Sequence, residues 1–186
     1  MKTITQKIYT FDELDKDTQA NVIQAWREGN DYLFLNEVLT EYAKELFDNH
    51  NIEILNDDFR LYYSLSYSQG DGVCIDGHFE VLDSDNNVTY NIYRRQRGGY
   101  THEHSHEISI YRDYTDNEGN FIQDEEVDCK DKKFIETDDF LIELCQKIER
   151  YGYSLIESEN EDKTIIENIK SNEYEFFKDG TIYTGL

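Results

Sequence analysis

Proline is absent from this chain, so no turn can rely on a ring-fixed φ. Cysteine is scarce. Cys74, Cys129 and Cys145 are odd in number, widely spaced and without a C-x-x-C pair, which argues against a disulfide framework and against a cysteine-based zinc site. Long apolar runs are missing as well: no stretch approaches the roughly 18 apolar residues of a membrane span. The opening MKTITQKIYTFDEL lacks the apolar segment of a signal peptide. The expectation is a soluble cytoplasmic protein with no membrane partner.

The remaining shortage is positive charge. Only 18 basic side chains stand against 41 acidic ones, a net charge of −23, and the isoelectric point is about 4.4. Between Asp113 and Glu175, 20 acidic against 7 basic residues leave a net −13, while Arg94, Arg95 and Arg97 form one local basic cluster. Such a field repels nucleic-acid phosphates and anionic lipid and attracts basic surfaces. It argues against direct nucleic-acid binding.

What is present is enough to fold. The chain has 186 residues with Tyr 15 and Phe 10, which suits one compact domain over residues 1–186. Without those aromatics the charge would read as disorder. From Asp15 as N-cap to Gly29 at the C-terminal end, KDTQANVIQAWRE predicts a helix carrying Val22, Ile23, Ala25 and Trp26. A second helix follows, with Leu35, Leu39, Tyr42 and Leu46 on its apolar stripe. The period then changes. Phe59, Leu61, Tyr63, Leu65 and Tyr67 alternate with polar neighbours, and Val73, Ile75, Gly77, Phe79 and Val81 form the inward set of the next strand. DSDNN, Gly98-Gly99 and DNEGN separate further strands at Val88–Ile92, at the histidine segment and near Phe121. Thr137 is the expected cap of a helix bearing Phe140, Leu141, Leu144, Cys145 and Ile148. A last helix at Ile165–Ile169 leads to an Asp179-Gly180 hairpin turn. The predicted fold is α+β: an antiparallel β-sheet meander with N- and C-terminal helices packed on one face.

Two segments carry candidate chemistry. In GGYTHEHSHEISIY, a strand would place His102, His104 and His106 on one face and Glu103 and Glu107 on the other. Alternate histidines would then stand roughly 6.8 Å apart and the outer pair roughly 13.6 Å apart. That is too far for three to share an ion at about 2.0 Å. A metal would need two of them plus a distant ligand such as His78, so His102, His104 and His78 are weak candidates and the expectation is no metal and no cofactor. In YSLSYSQGDGVCIDG, the glycines flanking Asp71 permit a tight turn whose N–H groups could hold an anion, with Gln69 beside it. It lacks the lysine of a P-loop and the carboxylate ladder of an EF-hand. Ser64, Ser66 and Ser68 have no G-x-S-x-G context, and Cys74 reads as a small buried hydrophobe. Adjacent acids such as Glu125-Glu126 and Asp138-Asp139 diverge on helix or strand and form no acid/base pair. No catalytic residue is expected.

Four stretches are similar to small proteins encoded by phages and other mobile elements. These are YTFDELDKDTQANVIQAW, LYYSLSYSQGDGVCIDGHF, RGGYTHEHSHEI and NEYEFFKDG. The resemblance implies a mobile-element origin and a bacterial host cell as the site of action, with His102 the histidine best matched to the family. Combined with the charge, it leads to the expectation of a non-enzymatic inhibitor that binds a host immune or nucleic-acid-handling protein, in the manner of anti-CRISPR or anti-restriction proteins. Its carboxylates, among them Asp124, Glu125, Glu126, Asp128, Asp138 and Asp139, would lie where phosphates otherwise lie. Two alternatives stand beside it: a small enzyme or nucleotide-binding domain using the SQGDG turn and His102, and an antitoxin-like neutralising partner.

Overall fold

The computed structural model describes residues 6–84, 86–98 and 100–185; Asp85 of the DSDNN turn and Gly99 of the Gly98-Gly99 pair lie outside them. The elements in chain order are β1 (Tyr9–Thr10), α1 (Lys16–Glu28), α2 (Leu35–Asn49), β2 (Ile52–Ser64), β3 (Gly72–Asp83), β4 (Val88–Gln96), β5 (His106–Thr115), β6 (Phe121–Glu126), α3 (Lys132–Glu159), α4 (Asp162–Ser171) and β7 (Glu175–Phe176). The fold is α+β. Strands β2 to β6 form a five-stranded antiparallel meander in sequence order, and β1 pairs with β7 in a second, two-stranded sheet. No helix among the described residues is long and apolar enough to cross a membrane. The chain divides into two compact units, residues 34–153 and residues 1–33 with 154–186.

In the larger unit the inward set of β3 falls as its alternation dictates, with Val73, Ile75 and Phe79 fully buried. Phe47 of α2 meets Phe59 and Phe79 at ring separations of 5.6 and 5.0 Å, and Leu141, Leu144 and Ile148 of α3 are fully buried. The buried stripe of α2 is Leu35, Leu39, Ala43 and Phe47. Tyr42 and Leu46, expected on that stripe, are only half-buried, because the helix keeps steps of four throughout. The other sheet face is uncovered at Leu82, 58% exposed. Both edge strands are bulged. β2 gains residues between Ile54 and Phe59, where Asn56 and Asp57 take positive φ. In β6, Asp124 takes a φ of 55° and its N–H bonds the Asp113 carboxylate at 2.8 Å. Bulges and edge charge blunt the pairing capacity of exposed strands.

Two expected boundaries move. β2 ends at Ser64, so Leu65 to Tyr67 are not strand. α3 begins at Lys132, not beside Thr137: Asp131 supplies the side-chain oxygen to the Lys133 N–H at 2.8 Å and its carbonyl accepts from Ile135. A better cap upstream extends the helix by more than a turn.

In the smaller unit Asp15 caps α1 through the Thr18 N–H. The residues of the F-D-E-L stretch divide between core and cap. Phe11 and Leu14 enter a core with Val22, Ile23, Ile165, Ile169 and Phe176. Glu13 reaches back to the Thr10 N–H at 2.8 Å, as in a capping box, and Asp12 pairs with Lys170 at 2.7 Å. After β7 the chain turns through Gly180, φ 87°, and the expected hairpin shrinks to a single bridge from Phe176 to Ile182.

Candidate functional site

β3 and β5 begin, and β4 ends, at the same end of the five-stranded sheet. There the SQGDG turn closes around Asp71. Its carboxylate accepts from Ser66 N at 2.6 Å, Ser68 N at 2.8 Å, Ser64 Oγ at 2.8 Å and Tyr153 Oη at 3.0 Å. Burial opposes ionisation of this group, but those donors hold its pKa far below the usual carboxylate range. Burial, with Asp71 beside it, pushes the Tyr153 phenol up to about 12. Alternation places Ser64, Ser66 and Ser68 along the polar face of a strand. Instead they curl about one carboxylate, because three of Asp71's donors lie within five residues of it. The Ser66 and Ser68 N–H groups are thereby taken up by the protein's own anion. Gln69 is exposed at its tip.

The histidine segment also departs from expectation. Only His106 lies on β5, and residues 102–105 form a turn closed by Ser105 N to His102 O at 2.8 Å. Arg97 N then reaches Ser105 O at 2.7 Å. The alternation rule therefore does not apply, and Glu103, placed by it opposite the histidines, stands between two of them. Its Oε2 is 3.2 Å from His102 Nδ1 and its Oε1 is 4.0 Å from His104 Nε2. Glu103 is 8% exposed, and Gln146 of α3 donates to its Oε1 at 3.2 Å. His78 is not part of this group; it stacks on Tyr93 at 4.0 Å. The two turns touch: a Cβ on Gly72 would stand 3.0 Å from His102 Cα and 3.6 Å from Glu103 Oε2.

Behind the turns lies Arg94, completely buried. It donates to the carbonyls of Ile75 at 3.0 Å and Glu103 at 2.7 Å, to Cys145 Sγ at 3.3 Å and to His106 Nδ1 at 3.0 Å. No carboxylate bonds it directly among the described residues. His106 Nδ1 also stands 2.8 Å from the Glu103 carbonyl oxygen, and since a carboxylate only accepts, its Nε2 donates to Asp138 at 2.8 Å. Burial disfavours the Asp138 anion, yet the His106 bond leaves its pKa lowered. The relay Arg94–His106–Asp138 thus links a buried cation to a half-buried anion. Burial pushes the Cys74 thiol up to about 11 despite the nearby arginine, so this cysteine is a packing residue. Of the expected basic cluster, Arg95 pairs with Asp58 at 2.7 Å and Asp76 at 3.0 Å, and Arg97 with Glu107 at 3.2 Å.

The acidic candidates lie elsewhere. Asp124, Glu125 and Glu126 belong to the edge strand β6. Glu125 is bound to Arg112, whereas Asp124, Glu126 and Asp128 are exposed. Asp138 and Asp139 diverge as their adjacency implies, Asp138 towards His106 and Asp139 to solvent. Sequence reasoning named Arg94 only as part of a basic cluster and Glu103 only as facing away from the histidines, and it missed Gln146 and Tyr153. Glu103 alone left a signal, a carboxylate flanked by histidines beside a glycine-rich segment.

Comparison with family models, curated proteins and solved structures gives no match for this chain. Its four motif blocks do meet in pairs. Tyr9, at the head of the F-D-E-L block, registers with Phe176 of N-E-Y-E-F through β1 and β7, and the SQGDG block meets the G-Y-x-H block at Gly72 and His102.

Proposed function

We propose that the protein works by binding rather than by catalysis, presenting acidic surface to a basic protein partner. The observation that carries this reading is the charge: net −23 overall and −13 between Asp113 and Glu175, with Asp124, Glu126 and Asp128 exposed on or just after an edge strand. Opposed charge of this size steers association and suppresses wrong partners. A basic surface this acidic protein would suit is the groove of a nucleic-acid-handling or immune protein. Together with the resemblance to mobile-element proteins, this makes an inhibitor of host defence the preferred role, and an antitoxin-like partner uses the same logic. The elevated thiol of Cys74 supports the non-catalytic reading.

The test is a triple charge reversal, Asp124→Lys with Glu126→Lys and Asp128→Lys, in a pull-down from host lysate at rising salt. The expected result is a bound basic protein that elutes with salt and is lost with the variant. Capture that ignores both salt and the reversal removes the acidic-surface reading. The ligand-binding alternative is favoured by one observation, the meeting of the SQGDG and histidine turns. It expects His102→Ala to abolish the activity while the charge reversals leave it intact.

A further inference from the structure

We propose that the turn His102–Glu103–His104 is a binding site for a divalent transition metal ion of the zinc type, held by His102 Nδ1, the Glu103 carboxylate and His104 Nε2. The inference is independent of the acidic-surface reading, since none of these residues lies on β6.

The ligand set is chemically apt. Two imidazoles and one carboxylate suit zinc and its first-row neighbours better than magnesium or calcium, which take oxygen ligands. The spacing fits as well. Two ligands each about 2.0–2.1 Å from a tetrahedral ion stand about 3.3 Å apart, and His102 Nδ1 to Glu103 Oε2 is 3.2 Å. One ligand atom from each of the three residues falls within 4.8 Å of the others. His104 Nε2 stands further off, 4.0 Å from Glu103 Oε1, but its side chain is 63% exposed. A small rotation of that ring therefore closes the set without disturbing the core.

The local bonding asks for a cation. His102 Nδ1 stands 3.2 Å from a Glu103 carboxylate oxygen and 3.3 Å from the His104 backbone nitrogen. Either a proton or a metal ion therefore joins it to the carboxylate, and the metal would take the lone pair that otherwise faces the His104 N–H. Two acceptors at that distance repel unless positive charge lies between them. The carboxylate is also held in advance: Gln146 fixes its Oε1, and the fully buried Arg94 fixes the Glu103 carbonyl. Outer partners of this kind orient metal ligands. Gly72 keeps the space beside the turn open, since any side chain there would press on His102 and Glu103. With His102 42% and His104 63% exposed, a fourth position opens to solvent for water or a partner's ligand.

The experiment titrates the full chain, stripped with chelator, with zinc alone against a chromophoric zinc chelator. Magnesium is kept in large excess to fill diffuse sites on the acidic surface. One zinc per chain is expected to bind in competition with the dye, and cobalt substituted for zinc is expected to give the strong visible absorption of a tetrahedral centre. His104→Ala alters an exposed side chain and so leaves the fold intact. It should lower affinity at least about 10–100-fold, the loss that even outer partners produce. Glu103→Gln should do the same, with circular dichroism confirming its fold, and His78→Ala should change nothing. Binding displaced by magnesium, or unaffected by His104→Ala, overturns the proposal. So does a chain that takes up no zinc while remaining folded, for then a proton alone joins His102 to Glu103.

Discussion

Asp71 shows how one side chain organises a whole turn. A pKa far below the usual range means that folding favours the anion, so the stabilisation is present above the unfolded carboxylate value of about 3.9 and is lost as pH falls below it towards the folded value. Asp71→Ala is expected to cost about 1.5–3 kcal/mol, the range for hydrogen bonds to a charged group. Urea unfolding at pH 7 checks the loss. Repeating it at falling pH should bring wild type and variant closer together, and a difference that does not shrink below about pH 4 would mean that the carboxylate's charge is not what matters. Arg94 makes the complementary point. Arginine is almost never fully buried without partners. Here Ile75 O, Glu103 O, Cys145 Sγ and His106 Nδ1 take its terminal N–H groups, and His106 passes the interaction on to Asp138. Its Nε alone finds no acceptor among the described residues.

Among the elements, β3 is the most constrained. Gly77 sits opposite the β2 bulge, where an added Cβ would lie 2.4 Å from the Asp58 carbonyl oxygen and 2.6 Å from the Phe79 ring. The carbonyl is backbone and cannot swing away. Gly77→Ala should therefore destabilise by about 1–3 kcal/mol or more, the cost of overpacking, measured as a fall in the urea midpoint at unchanged slope. An unchanged midpoint would mean that the β2 bulge relaxes freely. The elements also show where period reading succeeds. β3 buries Val73, Ile75 and Phe79 and α1 buries Val22 and Ile23 as their patterns dictate. But Cys74 and Asp76 on the other face of β3 are buried as well, Val81 is only half-buried and Ala25 of α1 is exposed. The histidine segment does not follow its pattern, because a turn bonded through Ser105 and Arg97 interrupts the extended chain that alternation assumes.

For the whole molecule the expectation is that self-repulsion is the dominant charge effect. At net −23 the folded chain carries its charges closer together than the unfolded one, and the Debye length falls from about 8 Å at physiological ionic strength to about 3 Å at 1 M. Sodium chloride is accordingly expected to raise the melting temperature, and the triple reversal at Asp124, Glu126 and Asp128 to raise it at low salt and reduce the salt response. A melting temperature that falls with sodium chloride would show that the surface ion pairs, such as Arg95 with Asp58 and Asp76, outweigh the repulsion.

Composition and periodicity by themselves determined the charge, the α+β class, the antiparallel meander and the burial of Val73, Ile75 and Phe79, because these follow from local chemistry repeated along the chain. The packing role of Cys74 and the Asp15 cap were legible in the same way. Only the tertiary structure decided which residues meet. It buried Arg94, turned Glu103 between His102 and His104, set three serines around Asp71 and committed Asp138 to His106. Each of these depends on contacts between residues brought together by strand pairing, by a turn or by the packing of α3, such as the 3.2 Å bond from Gln146 to Glu103 across 43 positions. Hydrogen bonding of this kind has no period, and so leaves no pattern in the sequence to read.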